Sequence, residues 1–262
     1  MIEEPYRWVE AIANRREYIE DQLRRGSPVV VLNYAEGLLL LTVSRETRKV
    51  FEVYDRVGFA ALGHPADIER MRLVAIDLAH IEGFNRAVAD VSLRRLVNFG
   101  MSPALKTAFE EVFSAPHIVK ILLAELGDEP AQDSIVKLDY DGSLARSEIE
   151  MKEGFDVLAG TRDAQKAMLD YLVEQNGNQR RSLEDALKLA AKTWAVGMYA
   201  AEQDESKADE EPEKREIDPE KILKEHLKTR HVEAAILERS RPATKKFRLL
   251  DEKEIRAALK DL

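Results

Sequence analysis

Cysteine is absent from this sequence, which excludes disulfide bonds, catalysis by a thiolate and zinc sites built from cysteine. Long hydrophobic runs are also missing: nowhere do about 18 apolar residues follow one another, the length that a membrane span requires. The first residues include Glu3 and Glu4 and lack the apolar run of a signal peptide. These absences predict a protein of a reducing, cytoplasmic setting that has no membrane partner.

An excess of positive charge is missing as well. Lysine and arginine number 40 against 49 acidic residues, for a formal net charge of -9, and this argues against nucleic acid as a partner because phosphate backbones demand a basic surface. No glycine-rich stretch has the form of a phosphate-binding loop. The histidines are scattered without convergent metal-ligand spacing, at His64, His80, His117, His226 and His231. We therefore predict neither a metal site nor a cofactor.

What the sequence does contain is enough apolar material for a full-sized core: 45% of its 262 residues are hydrophobic. Residues 29–63 hold two long apolar runs and a shorter one, separated by residues 34–37 and 44–49. Short apolar runs bounded by turn-forming residues are typical of buried strands. The pattern predicts a sheet that is buried on both faces.

Amphipathic helices flank these strands. Residues 5–25 place Trp8, Ile12, Ile19 and Leu23 on one helical stripe. Further helices are predicted at 66–87, 90–113 (kinked or divided at Pro103), 162–175, 183–199, 219–228 and 252–259, and further strands at 118–126, 134–140, 155–159, 232–237 and 247–250. The order of these elements predicts an α+β fold in which two sheets pack face to face between outer layers of helices.

One segment has no capacity to join such a core. Residues 202–216 contain no large apolar residue and carry eight acidic residues against three basic ones, a composition typical of solvated, mobile chain. We accordingly predict four regions: residues 1–26 as an N-terminal segment and helix, 27–201 as the main domain, 202–217 as a charged flexible linker, and 218–262 as a helix, strand and final helix that complete the domain.

Ser27 is the candidate nucleophile. A hydroxyl residue that follows glycine at the start of a buried strand is where N-terminal nucleophile hydrolases expose a catalytic residue by autocleavage, and Lys49 could assist it. Three features argue against this role: Pro28 follows directly, residues 41–45 hold no carboxylate to orient such a lysine, and cleavage would discard the helix of residues 1–26. The alternative is that Ser27 simply ends that helix.

Residues 49–63 resemble a segment of the alpha subunits of bacterial proteasomes of the actinobacterial type, above all at Tyr54-Asp55-Arg56-Val57-Gly58-Phe59-Ala60-Ala61. Shorter similarities occur in the same order along nearly the whole chain. They lie at Pro5-Tyr6, residues 29–36, residues 85–91, Asp139-Tyr140-Asp141-Gly142-Ser143, residues 232–237, Arg241-Pro242 and Phe247-Arg248.

The resemblance implies a four-layer αββα sandwich of the N-terminal nucleophile hydrolase superfamily, with an N-terminal helix that catalytic subunits lose. It implies a homo-heptameric ring, proteasome beta subunits that carry the threonine-type peptidase activity, unfolded protein substrates in transit, and a ring-shaped AAA ATPase activator. Lys49 matches the lysine of the pocket that receives the activator's C-terminal carboxylate. The implied gate of the pore consists of Met1, Ile2, Glu3, Glu4, Pro5, Tyr6, Arg7 and Trp8.

Three functional hypotheses follow. The first is a non-catalytic alpha-ring subunit that scaffolds a proteasome core particle, gates substrate entry and docks the activator. The second is a self-processing hydrolase with Ser27 as nucleophile and Lys49 assisting. The third is an adaptor that recruits partners through the acidic segment 202–216, and it leaves the buried strands unexplained.

Overall fold

The computed structural model describes residues 5–145, 154–175, 181–206, 217–260 and 262. Of the predicted gate, Met1, Ile2, Glu3 and Glu4 therefore lie outside the described residues, as does segment 207–216 of the predicted linker. The first helix, α1, spans Pro5–Arg24, close to the predicted 5–25.

The first sheet contains five strands: β1 (Val29–Tyr34), β2 (Gly37–Ser44), β8 (Phe155–Leu158), β9 (His231–Glu238) and β10 (Phe247–Leu249). Their spatial order is β10-β9-β2-β1-β8, and every pairing is antiparallel. Strand β9 pairs with β2 over eight residues, from Gly37 opposite Glu238 to Ser44 opposite His231. The end of the chain thus supplies two strands of the sheet that begins at Val29.

The second sheet contains β3 (Val50–Tyr54), β4 (Val57–Gly63), β5 (Val119–Glu125), β6 (Ser134–Leu138) and β7 (Leu144–Ala145), in that spatial order. The turn between β6 and β7 is the predicted Asp-Gly turn. Gly142 adopts a φ of 78° there, a backbone conformation that residues other than glycine rarely adopt.

Helices form the two outer layers. They are α2 (Pro65–Asn85), α3 (Leu93–Leu96), α4 (Ser102–Glu110), α5 (Arg162–Gln175), α6 (Leu183–Ser206), α7 (Pro219–His226) and α8 (Glu252–Ala258). The predicted helix 90–113 is divided, with a π-helical segment at Val97–Met101 that joins α3 to α4. Pro103 occupies the first turn of α4, where its missing N–H costs no helical hydrogen bond.

Three apolar layers hold the fold together. One lies between the first sheet and helices α5 and α6, and includes Trp194 and Met168. A second lies between the second sheet and helices α2 to α4. The third fills the space between the sheets, with Leu38, Leu40 and Leu122 fully buried. The predicted four-layer αββα sandwich is confirmed.

Helix α1 is part of the layer between the sheets. Ile19 and Leu23 of its predicted apolar stripe have no exposed surface and pack with the strands of both sheets. A side chain at Gly26 would lie 2.5 Å from Leu62, and one at Gly160 would lie 2.2 Å from the carbonyl oxygen of Leu23. These close approaches seat the end of α1 directly against both sheets.

The predicted linker begins later than residue 202. Helix α6 continues to Ser206, so residues 202–206 of the predicted linker form the end of this helix. Two acidic residues of this last turn have basic neighbours: Glu202 lies 3.5 Å from His226 and Asp204 lies 4.0 Å from Arg24. The composition of these residues is that of a solvated segment, but in the structure they contact α7 through His226 and α1 through Arg24.

Candidate functional site

The layer between the sheets changes from apolar to polar at one end. Residues that share a face of β2 alternate along the strand, and the inward series Leu38 and Leu40 is continued by Thr42 and Ser44. On the adjacent strand β9, Ala235 and Leu237 lie in the same apolar layer, and the next inward position is Glu233. This end therefore gathers buried hydroxyls and one carboxylate.

Ser27 belongs to this polar end, and its hydroxyl is fully engaged. The side chain Oγ donates to the carbonyl oxygen of Val43 at 2.5 Å and accepts the indole N–H of Trp194 at 2.9 Å. Ser27 is only 6% exposed and Trp194 is completely buried. These bonds tie the end of α1 to β2 and to α6, which is a structural role for the hydroxyl.

Lys49 lies just before β3, and its backbone is held by Glu233. The N–H groups of Lys49 and Val50 donate to the Glu233 carboxylate, at 3.0 Å and 2.8 Å for the shorter contacts. The Ser44 hydroxyl donates to the same carboxylate at 3.2 Å, and Arg48 Nε lies 3.7 Å away. Glu233 thereby joins the edge strand of the second sheet to the first sheet.

The charges around the Lys49 amine act in opposite directions. Burial lowers the pKa of Lys49, the negative charge of Glu233 raises it, and the positive charge of Arg230 lowers it again, with a net pKa below the ordinary value. Burial penalises the charged amine because it removes water. The Glu233 carboxylate is the influence that favours the protonated form.

Sequence reasoning missed Glu233. Residues 41–45 contain no carboxylate, but β9 brings the carboxylate of Glu233 to the backbone of Lys49 from 184 residues away. One signal was present: Glu233 is the charged residue inside the otherwise apolar run 232–237. A charge at an inward position of a buried strand needs a partner.

The structure does not join the two residues of the hydrolase hypothesis. Within the described ranges, no hydrogen bond or ion pair links Ser27 to Lys49; each is bonded to other groups.

The described part of the predicted gate includes Trp8, which is 44% exposed at the start of α1.

The described residues contain neither a cluster of metal-binding side chains nor a helix that could span a membrane. No cluster of three or more histidine, cysteine, aspartate or glutamate side chains is arranged to hold a metal ion among them. Of the helices in the described ranges, none combines the length and the apolar character needed to cross a bilayer.

Two face-to-face sheets between helical layers, with an N-terminal helix packed beside the serine two residues ahead of the first strand, form the αββα fold of a proteasome-type subunit. No protein-family model matches the chain. Among curated proteins, the proteasome subunit alpha of Streptomyces coelicolor is 31% identical over 241 residues, covering 91% of this chain and 82% of that protein.

The corresponding proteins of Actinosynnema mirum and Kineococcus radiotolerans, also named proteasome subunit alpha, are 31% and 32% identical over 95% and 87% of this chain. They are covered over 84% and 85% of their own lengths. The chain belongs to the proteasome alpha subunit family, which confirms the resemblance seen in residues 49–63.

Proposed function

We propose that this chain is a non-catalytic ring subunit of a proteasome core particle, which scaffolds assembly with catalytic beta subunits, gates the entry of unfolded proteins and docks an ATPase activator. The observation that carries the proposal is the packing of α1 over Ser27, with Ile19 and Leu23 fully buried. Catalysis by Ser27 would require a free amine at residue 27. Cleavage there would remove two side chains from the core between the sheets.

The bonding of Ser27 supports the same conclusion. A nucleophilic hydroxyl must be free to attack and must lie beside a base. Here the hydroxyl donates its proton to the carbonyl oxygen of Val43, and its oxygen accepts a hydrogen bond from the indole N–H of Trp194. This bonding supports the proposal that the peptidase activity of the particle belongs to threonine-type beta subunits, in the cytoplasm.

Exposed apolar side chains on α1 support contact with a neighbouring copy, and the family resemblance implies that seven copies form a ring. Trp8, Val9 and Tyr18 of this helix are 44%, 67% and 51% exposed, although Ile19 and Leu23, which share the stripe of Trp8, are buried in the same subunit. Exposed apolar residues on an otherwise charged helix favour contact with a neighbouring subunit. The gate, Met1 to Trp8, would then lie near the axial pore of the ring.

Lys49 supports the docking of an activator. Its amine is half-buried, and the nearby guanidinium of Arg230 adds positive charge. A site of this kind favours an anionic ligand such as the C-terminal carboxylate of a protein chain. The ligand would come from a ring-shaped AAA ATPase seated on the alpha ring.

Native mass spectrometry tests the scaffold role. The chain is measured alone and after co-expression with the beta subunit of the same genome, with the denatured mass recorded in parallel. We expect a full-length chain in sevenfold rings or in an alpha-beta particle, and peptidase activity only with beta present. A chain that is shortened to begin at Ser27 and hydrolyses peptides by itself would refute the proposal.

The docking role needs a separate test. Lys49→Ala should weaken binding of the ATPase to the alpha-beta particle by tenfold or more, because a hydrogen bond to a charged group contributes roughly 1.5–3 kcal/mol. Lys253→Ala removes the same charge from an exposed position of α8 and should leave binding unchanged. Equal affinities for the two variants would show that Lys49 does not receive the activator.

A further inference from the structure

We propose that Glu233 is a positioning residue for Lys49, which fixes the backbone at the head of β3 and places a negative charge beside the lysine that would bind a carboxylate. This inference rests on the docking role proposed above for Lys49. It assigns a task to a residue that lies on the last long strand of the chain, far from Lys49 in sequence.

The first part of the argument is geometric. Lys49 and Val50 stand at the start of an edge strand, and their N–H groups point at one carboxylate on the opposite sheet, 2.8–3.1 Å away. Three donors, counting the Ser44 hydroxyl, therefore meet on Glu233. These hydrogen bonds hold the Glu233 side chain and the backbone of Lys49 in a fixed relative position. The backbone in turn determines the direction of the Lys49 side chain.

The second part concerns charge. Glu233 is only 9% exposed, and a buried carboxylate is costly unless cations lie near it. Three cations belong to this region. Arg48 Nε lies 3.7 Å from the Glu233 carboxylate, and Lys49 interacts electrostatically with both Glu233 and Arg230, which precedes β9. His231 lies beside Ser44, with Nε2 3.4 Å from the hydroxyl.

The balance at Lys49 shows what the loss of Glu233 would do. Burial and Arg230 both lower the pKa of Lys49, and Glu233 raises it. Without the carboxylate, only the lowering influences remain, so the amine would lose its proton at a lower pH. Because a carboxylate ligand binds the protonated amine, binding would also fail at a lower pH. Glu233 thus raises the upper pH limit of the proposed docking site.

The experiment uses the full-length chain with its lysines reductively methylated with ¹³C, and follows the Lys49 signal by NMR as a function of pH. Lys49→Arg assigns the signal. Four forms are compared: the natural sequence, Glu233→Gln, Glu233→Asp and Glu238→Gln. The glutamine variant keeps an acceptor but removes the charge, the aspartate variant keeps the charge with a shorter reach, and Glu238→Gln removes a charge from the far end of β9.

We expect the pKa of Lys49 to fall in Glu233→Gln, to fall less in Glu233→Asp, and to stay unchanged in Glu238→Gln. An unchanged pKa in Glu233→Gln would overturn the proposal. If the glutamine variant does not fold, the aspartate variant decides: a Lys49 pKa equal to that of the natural sequence contradicts a positioning role.

A binding measurement separates this proposal from the docking proposal. The probe is a peptide of the last residues of the ATPase encoded in the same genome, with a free or an amidated C-terminus. The pH midpoint for loss of the free peptide should move downward in Glu233→Gln and remain in place in Glu238→Gln. If Lys49→Ala leaves peptide binding intact, docking at Lys49 is refuted, whereas the NMR result still judges Glu233 on its own.

Discussion

Ser27→Ala distinguishes a structural hydroxyl from a catalytic one. The substitution removes one buried oxygen and leaves two groups without their partner, the indole N–H of Trp194 and the carbonyl of Val43. A buried polar group that loses its hydrogen bond costs about 1–3 kcal/mol. Because Trp194 and Val43 are both completely buried and each loses a hydrogen bond, we expect Ser27→Ala to reduce the free energy of unfolding by about 2–6 kcal/mol.

The assay combines stability with activity. For a chain of this size, each kcal/mol corresponds to a shift in Tm of about 2–4 °C, so thermal unfolding of the alpha subunit should show a clear decrease. Peptidase activity of the assembled alpha-beta particle should be retained. Ser240→Ala is the matched control, since that exposed hydroxyl bonds only a neighbouring carboxylate and its loss should change stability by less than about 0.5 kcal/mol.

A double-mutant cycle with Trp194→Phe measures the interaction between Trp194 and Ser27 directly. Both single variants break the same hydrogen bond between the indole and Ser27, so their effects on stability should add to more than the effect of the double variant. Strict additivity, or a Ser27→Ala particle that assembles normally but has lost its peptidase activity, would refute the structural role.

Two further predictions concern α1. Leu23→Ala should lower the free energy of unfolding by about 2–5 kcal/mol, because it opens a cavity between the sheets; a decrease below 1 kcal/mol in urea unfolding would contradict the seating of α1. The second depends on pH. Burial raises the pKa of Asp141, but hydrogen bonds from Ser143 and Arg16 outweigh it and hold the pKa below its ordinary value. A carboxyl with a lowered pKa stabilises the fold above its unfolded-state pKa, and that contribution is lost as the pH falls through the folded-state pKa. Arg16→Met should therefore reduce stability at neutral pH and flatten its decline in acid, as measured by Tm between pH 7 and pH 3; parallel curves would contradict this.

Local patterns were enough to predict much of the fold. The stripe that includes Ile19 and Leu23, the apolar runs of residues 29–63 and the Asp-Gly turn at residue 142 each depend on neighbours within a few positions, and the structure confirms them. Periodicity and turn chemistry act over such distances, so they can be read along the chain. The family resemblance at residues 54–61 is likewise a property of the sequence itself.

Contacts between distant segments were decided by the tertiary structure. Strand β9 pairs with β2, and this placement alone brings Glu233 to the backbone of Lys49. The same is true of Trp194, which reaches Ser27 across 167 positions. Strand order and register determine which side chains meet between the sheets, and no local pattern encodes that order. The sequence by itself therefore determined the elements, their apolar faces and the family, whereas the partners of Ser27 and Lys49 were set by the packing of the two sheets.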